Sequence, residues 1–285
     1  MKIGRRKRNI ILSVVLCAII AVWTVWGNMA LMVNTVSISS SRIPAAFSGF
    51  RIVQVSDLHN AEFGKNNADL LKMLSESGAD IIVITGDLID ARRTDVEIAL
   101  CFAQESARIA PTYYVTGNHE AASPQYDTLK AGLEAAGVIV LENETVYLER
   151  GGETIALLGL ADPDFTAKGD MFGEVPAMVS TKLRNLLDDE SGYTILLAHR
   201  PELFETYVRS GIDLVFAGHA HGGQFRLPFI GGLVAPNQGL FPKYDAGLYT
   251  DGGTSMVVSR GIGNSIIPFR FNNRPEIVLV ELSAK

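Results

Sequence analysis

Cysteine is scarce in this chain: Cys17 and Cys101 are the only two in 285 residues. One lies in an apolar N-terminal run and the other in a helix-like segment, so a disulfide framework is excluded. Tryptophan is as rare, with Trp23 and Trp26 alone, and there is no internal repeat or low-complexity tract. Basic charge is missing from most of the sequence. Lys2, Arg5, Arg6, Lys7 and Arg8 are five of the 25 basic residues, which leaves 20 to set against 31 acidic ones. Wrapping nucleic acid requires a basic face that displaces counterions, so no nucleic-acid partner is expected. What remains, 47% hydrophobic and 20% charged, describes a globular chain long enough for one large core plus an appendage.

The appendage is the N-terminus. From Ile10 to Val33 the sequence is almost wholly apolar, long enough for a helix to cross a bilayer core that needs about 20 residues. Both tryptophans lie toward its far end, where amphipathic rings favour the interface. The basic cluster before it is expected to stay cytoplasmic, leaving the rest of the chain on the outer side. A cleaved signal peptide has an apolar core of roughly 7–15 residues; this run is longer and Asn28-Met29-Ala30 is a weak cleavage site, so an uncleaved anchor fits better while cleavage stays open. The Arg5-Arg6 pair lacks the apolar residues a twin-arginine signal carries soon after it. The expected organisation is a basic cytoplasmic end at 1–9, a transmembrane anchor or uncleaved signal at 10–33, a short linker or edge strand at 34–50, and one domain at 51–285. The localisation that follows is single-pass in the cell membrane with an extracytoplasmic domain.

That domain alternates strand and helix. Dense apolar runs such as Asp80 to Thr85 and Leu214 to Ala217 read as buried strands. Segments 67–77, 94–107, 123–137, 180–187 and 202–210 read as helices, the third opening on Ser123-Pro124. The expected class is α/β, with two mixed sheets face to face and helices outside. Open sheets of this kind place ligand sites beyond the carboxyl ends of their strands, and polar residues cluster there.

All five histidines fall just after an apolar strand, in Asp57-Leu58-His59, Gly117-Asn118-His119-Glu120, Ala198-His199 and Gly218-His219-Ala220-His221, with Gly86-Asp87 completing the set. Taken singly, each has a bland explanation: a turn aspartate, a capping asparagine, a surface or core histidine. Together they form an oxygen and imidazole donor set without thiolates, which suits Mn, Fe or Zn and argues against copper–thiolate or iron–sulfur centres. Asp57 and His59, two apart, are expected to share one face of an extended backbone. Two divalent cations against two carboxylates, with a bridging hydroxide, leave a net positive site attractive to a phosphate ester.

This ordered set resembles the calcineurin-like metallophosphoesterase superfamily. Ser56-Asp57-Leu58-His59, Gly218 to Gln224 and Val258-Ser259-Arg260-Gly261 resemble its membrane-associated bacterial branch, the YkuE/YaeI-like proteins. The resemblance spans roughly 51–282. It implies a four-layer αββα sandwich with two divalent metal ions. Asp57, His59, Asp87 and His221 would hold one ion, and Asp87, Asn118, His199 and His219 the other. A metal-bridged hydroxide would attack phosphorus while His119 protonates the leaving oxygen or stabilises the developing charge. Glu120 would orient His119 or lie solvated. Protein phosphatases of the superfamily carry an arginine where this chain has Thr116, which disfavours a protein substrate. A phosphodiester is the favoured substrate, envelope and lipid-linked esters being candidates. Alternatives are a phosphomonoesterase or protein phosphatase, and a catalytically silent envelope protein that binds metal or phosphate.

Overall fold

The apolar runs pair into two six-stranded sheets. The computed structural model describes residues 4–167, 173–187 and 192–285; Lys2 of the basic cluster lies outside them. The first sheet contains β1 (Met32–Ser40), β2 (Arg51–Val55), β3 (Ile81–Thr85), β4 (Thr112–Val115) and β5 (Ile139–Val140), together with the last strand of the chain, Glu276–Ala284. The second contains β6 (Glu144–Arg150), β7 (Glu153–Gly159), β8 (Tyr193–Leu197), β9 (Leu214–Ala217), β10 (Gly247–Asp251) and β11 (Thr254–Val258). With Glu276–Ala284 as β12, the orders are β1-β12-β2-β3-β4-β5 and β10-β11-β9-β8-β7-β6. β2, β3, β4 and β5 run parallel in one, and β7, β8, β9 and β11 in the other; β12 is antiparallel to β2, and the edge strands β10 and β6 are antiparallel to their neighbours.

Strands buried on both faces explain the unbroken apolar runs. In β3, Ile81 and Val83 face the other sheet, where they meet Ile195, Leu197 and Phe216; Ile82 and Ile84 face the helices. One outer layer is α2 (Ala68–Ser77) and α3 (Val96–Ile109), with α5 (Tyr126–Ala135) beside them once the short α4 (Asn118–Ala122) has been passed. The opposite outer layer is α6 (Val175–Leu186) and α7 (Phe204–Arg209). Three apolar layers between four structural ones give the expected sandwich of two mixed sheets flanked by helices.

Element ends depart from the sequence reading where caps differ. Ser123-Pro124 precedes α5 rather than opening it, because the chain turns at Ser123 after α4. The N-terminal helix α1 runs Arg5–Met29, and the residues read as its continuation to 33 divide: Met32 already pairs with Glu276 in the sheet. α1 is long and apolar enough to cross a bilayer and is almost entirely exposed. Its 25 residues extend about 37 Å at helical rise.

Candidate metal centre

Five strand ends meet at one edge of the sandwich. Asp57 and His59 follow β2, Asp87 follows β3, Asn118 opens α4 after β4, His199 follows β8, and His219 and His221 follow β9. The chain crosses at close quarters to bring them together. A Cβ on Gly86 would stand 2.7 Å from the Gly117 amide nitrogen and from His199 Nδ1, and one on Gly218 would stand 2.0 Å from Ser56 Oγ. Only glycine lets the carboxyl ends of the two sheets approach this far.

Asp57 and His59 do not share the face of an extended strand. Their φ angles are 53° and 47°, and Asp87, His219 and His221 are left-handed too, at 52°, 66° and 47°. Each strand has ended, and the donors are turned inward by single left-handed residues. Such conformations cost roughly 1–3 kcal/mol for a non-glycine and persist only where the surroundings enforce them.

The side chains converge. Donor atoms of Asp57, His59, Asp87 and His221 all lie within 4.8 Å of one another, as do those of Asp87, His199 and His219. Asp87 belongs to both groups. Its Oδ2 is 3.2 Å from His199 Nε2 and 3.5 Å from His59 Nε2, while Asp57 Oδ1 is 3.5 Å from His221 Nε2. Asn118 shares a cleft of about 290 Å³ with Asp87, His119, His219 and His221. Asn118 Oδ1, His59 Nδ1 and His199 Nε2 are buried with no hydrogen-bond partner. Buried polar atoms left unpaired are rare. His59 turns Nε2 rather than Nδ1 toward the carboxylates, but Asn118 in the cleft beside Asp87 and His199 Nε2 at 3.2 Å from Asp87 Oδ2 fit cation ligands, as does a donor set of oxygen and imidazole nitrogen alone.

Hydrogen bonds from behind aim the donors. His199 Nδ1 donates to the Thr85 carbonyl at 2.7 Å, which turns Nε2 toward Asp87. His119 N–H donates to Asp87 Oδ1 at 2.8 Å, and His219 N–H to Asp57 Oδ1 at 3.1 Å. Burial holds His59 and His221 down to about 3, keeping both neutral and able to ligate. Burial opposes charge on His199 as well, but Asp87 outweighs it and raises the group to about 10. Burial also pushes Asp87 up, yet His199 and His59 hold it well below the carboxylate range. A proton on His199 thus does for Asp87 what a cation would do.

His119 stands at the edge of both groups, with a ring nitrogen close to His59 and Asp90. The Ala91 backbone N–H donates to its Nδ1 at 3.0 Å, so the neutral ring carries its proton on Nε2, which faces Ser265 Oγ at 3.1 Å. Glu120 does not touch this ring and is not solvated. Its carboxylate is fully buried and accepts backbone N–H bonds from Gly117, Asp87 and Ile89 at 2.7, 2.8 and 3.2 Å. Burial, with Asp87 nearby, lifts it to about 7. Its place three residues after Gly117, at the start of a helix, was the available signal for such a role.

Four further residues were not singled out in the sequence. Asp90 lies beside His119. Asp162 holds Arg200 bidentately at 2.6 and 2.8 Å, and Arg200 Nη1 is 3.3 Å from His219 Nε2. Arg270, fully buried, lies 3.5 Å from His221 Nδ1. Thr116, where an arginine was noted to be missing, accepts the Asp162 amide hydrogen at 2.9 Å in full burial. Arg260 is committed to Glu276 at 3.4 Å. Arg92, bound to Asp90, reaches Ser265 Oγ at 3.4 Å on the rim of the cleft.

Comparison with known proteins agrees with this geometry. A family profile described as calcineurin-like phosphoesterase matches residues 50–223. The metallophosphoesterase YkuE of Bacillus subtilis is 31% identical over 252 residues, covering 87% of this chain and 84% of that protein. Phosphodiesterase YaeI of Escherichia coli is 28% identical over 246 residues, 82% of each. A bovine transmembrane protein with metallophosphoesterase domain is 31% identical over 270 residues, 88% of this chain but 57% of its own length. Among solved structures, TT1561 of Thermus thermophilus superposes with a TM-score of 0.51 at 15% identity, covering 75% of this chain and 91% of that one, a likeness of fold alone.

Proposed function

The chain belongs to the calcineurin-like phosphoesterase family, and from that premise we propose that it is a membrane-anchored hydrolase of phosphodiesters, envelope and lipid-linked esters foremost. The observation that carries it is Asp87, whose Oδ2 stands 3.5 Å from His59 Nε2 and 3.2 Å from His199 Nε2, one member of each group of donors, while its Oδ1 is held by the His119 backbone N–H. Asp57, His59, Asp87 and His221 would hold one divalent cation, and Asp87, Asn118, His199 and His219 the other, with Mn, Fe or Zn matching the donors. When bound, the pair supplies the positive charge that activates a water and neutralises the phosphoryl oxygens.

The chain's own groups do the rest. His119, with its proton on Nε2, offers that N–H to the leaving oxygen, and Asp90 favours any positive charge arising on the ring. Glu120 fixes the backbone of Asp87 and Gly117, and so the place of Asn118 and His119. Arg92 is the exposed cation at the rim best placed to meet a substrate phosphate. Buried Thr116 offers no such charge, which argues against a phosphoprotein substrate. The intact His119 argues against a silent binding protein.

α1 would span the membrane with its basic end inside, placing the cleft on the outer side. Protease added to intact cells should then remove the domain; complete protection would reverse the orientation. For the chemistry, detergent-purified protein is assayed for bound metal and for cleavage of chromogenic diesters and monoesters with Mn²⁺ and Zn²⁺ in turn. Two cations per chain and faster diester cleavage are expected. One weak cation and no cleavage would overturn the proposal.

A further inference from the structure

α1 joins the domain without slack. Only two residues separate Met29 from Met32, and Arg274 holds both of their carbonyls, Nε to Ala30 O at 2.8 Å and Nη2 to Leu31 O at 2.7 Å. The same guanidinium lies 4.8 Å over the Trp26 ring. Asn28 adds a paired bond to Arg270, accepting from its N–H at 2.7 Å and donating to its carbonyl at 2.9 Å. With α1 spanning a bilayer, a helix end tied at these points holds residues 263–270 at the lipid surface.

That loop also walls the cleft. Ser265, Ile266 and Ile267 line the side facing Asp87 and His119, and Asn264, Pro268 and Phe269 pack beside Thr24, Asn28 and Met29 of α1. The catalytic cleft and the anchor therefore lie on opposite sides of one loop.

Exposed apolar side chains gather around it. Outside α1, eight of the twelve large hydrophobic residues that are exposed among the described residues fall from Leu227 to Phe269. Phe229 is fully exposed and Ile230 is 62% exposed, at the tip of a ribbon that pairs Arg226–Leu227 with Gly231–Gly232. The ribbon's base is fixed to the same loop region by the Phe225–Phe269 ring contact at 5.3 Å and by Arg226 N–H to Phe271 O at 3.0 Å. Leu240 and Phe241 follow on the next ribbon, bound through Phe241 N–H to Leu233 O. Singly exposed hydrophobics mean little; a concentration of them marks a docking surface.

We propose that this rim inserts into the same bilayer that holds α1, so that the cleft takes the phosphoester of a membrane lipid directly from the bilayer surface. The occupant is lipid because the apolar rim continues from a helix that already requires lipid, through a loop clamped to both. The proposal rests on the phosphoesterase reading of the cleft and on α1 as the anchor. It adds where the substrate comes from and which residues reach it.

The test uses the full chain in phosphatidylcholine/phosphatidylglycerol vesicles. In a W23F/W26F/F229W protein the single indole should be quenched by lipids brominated on their acyl chains. In F229S/I230S/L240S/F241S, cleavage of soluble bis(nitrophenyl) phosphate should stay within about twofold of the unmodified chain, while cleavage of vesicle-borne nitrophenyl phosphatidate should fall about tenfold or more, as expected for a lost apolar interfacial contact. An unquenched indole, or equal cleavage of the lipid ester by both proteins, would overturn the proposal. Absence of quenching together with rim-dependent dimerisation would assign the surface to a second copy and likewise overturn it. Failure of the unmodified chain on the soluble ester would instead sink the phosphoesterase reading, and quenching would still decide whether the rim meets lipid.

Discussion

Truncating Asp162 to alanine tests how the centre is supported without touching a candidate ligand. Asp162 is buried, and its two oxygens hold Arg200 Nε and Nη2 at 2.6 and 2.8 Å. At 2.6 Å and an effective dielectric of about 20, their gross attraction is about 6 kcal/mol. Removing one partner of a buried pair typically costs about 3–5 kcal/mol, because the other charge is left unpaired. Two further carboxylates soften the loss: Asp164 lies 3.0 Å from Nη2, and Glu202 lies 3.7 Å from Nη1. The lower end, about 3 kcal/mol, is therefore expected. For a domain of this size that lowers Tm by about 6–12 °C. D162A/R200M, which leaves no orphaned charge, should recover most of it. Arg200 also stands beside His219, so D162A should weaken metal binding by about 10–100-fold, the usual effect of losing a group behind a ligand. Thermal melts in detergent and metal titration read both effects. A D162A protein melting within 2 °C of the unmodified one, with unchanged metal affinity, would refute the reasoning.

Asp87→Asn should lose metal and turnover together, by about a thousandfold or more, since one carboxylate serves both groups of donors; elemental analysis beside ester cleavage checks it, and normal turnover would remove the assignment. His119→Asn should keep its metal and slow turnover by about 10²–10⁴-fold, most for poor leaving groups. An equal loss across leaving groups would argue against a proton-donating role. His221→Gly should leave the chelated protein at least as stable as the unmodified chain, because it relieves a left-handed residue. It should also abolish most of the stabilisation that saturating metal supplies, about 2.7 kcal/mol per site at a hundredfold excess over Kd. Melts with and without chelator separate the two.

The fold was legible because its signal is coarse. Buried parallel strands need apolar residues on both faces, and runs such as Ile81 to Thr85 and Leu214 to Ala217 satisfy that whatever surrounds them. Chemically distinctive residues after those strands were legible as well, because polar groups collected at strand ends have few other uses. What could not be read is whatever depends on a partner distant in sequence. Glu120 looks solvated until β3 and α4 are brought together and three amides converge on it. Arg270 looks like one more surface cation until Gly263, Arg260 and Asn264 enclose it. The Arg200–Asp162 pair joins residues 38 apart, and no local pattern announces it.

The backbone at the centre says more about its purpose than the residue types do. Glycine would adopt the left-handed turns at positions 57, 59, 87, 219 and 221 without strain. The chain places two aspartates and three histidines there instead. At about 1 kcal/mol or more each, five such residues offset much of the 5–15 kcal/mol by which a domain is stable. They also bury imidazoles and carboxylates at 3.2–3.9 Å from one another, where unpaired charge is costly. Packing alone would favour apolar residues and glycines at these positions. The arrangement becomes favourable once cations stand among the donors, because binding offsets the strain and pairs the buried groups together. The left-handed turns and unpartnered polar atoms therefore point to the same cause, and they do so independently of any motif.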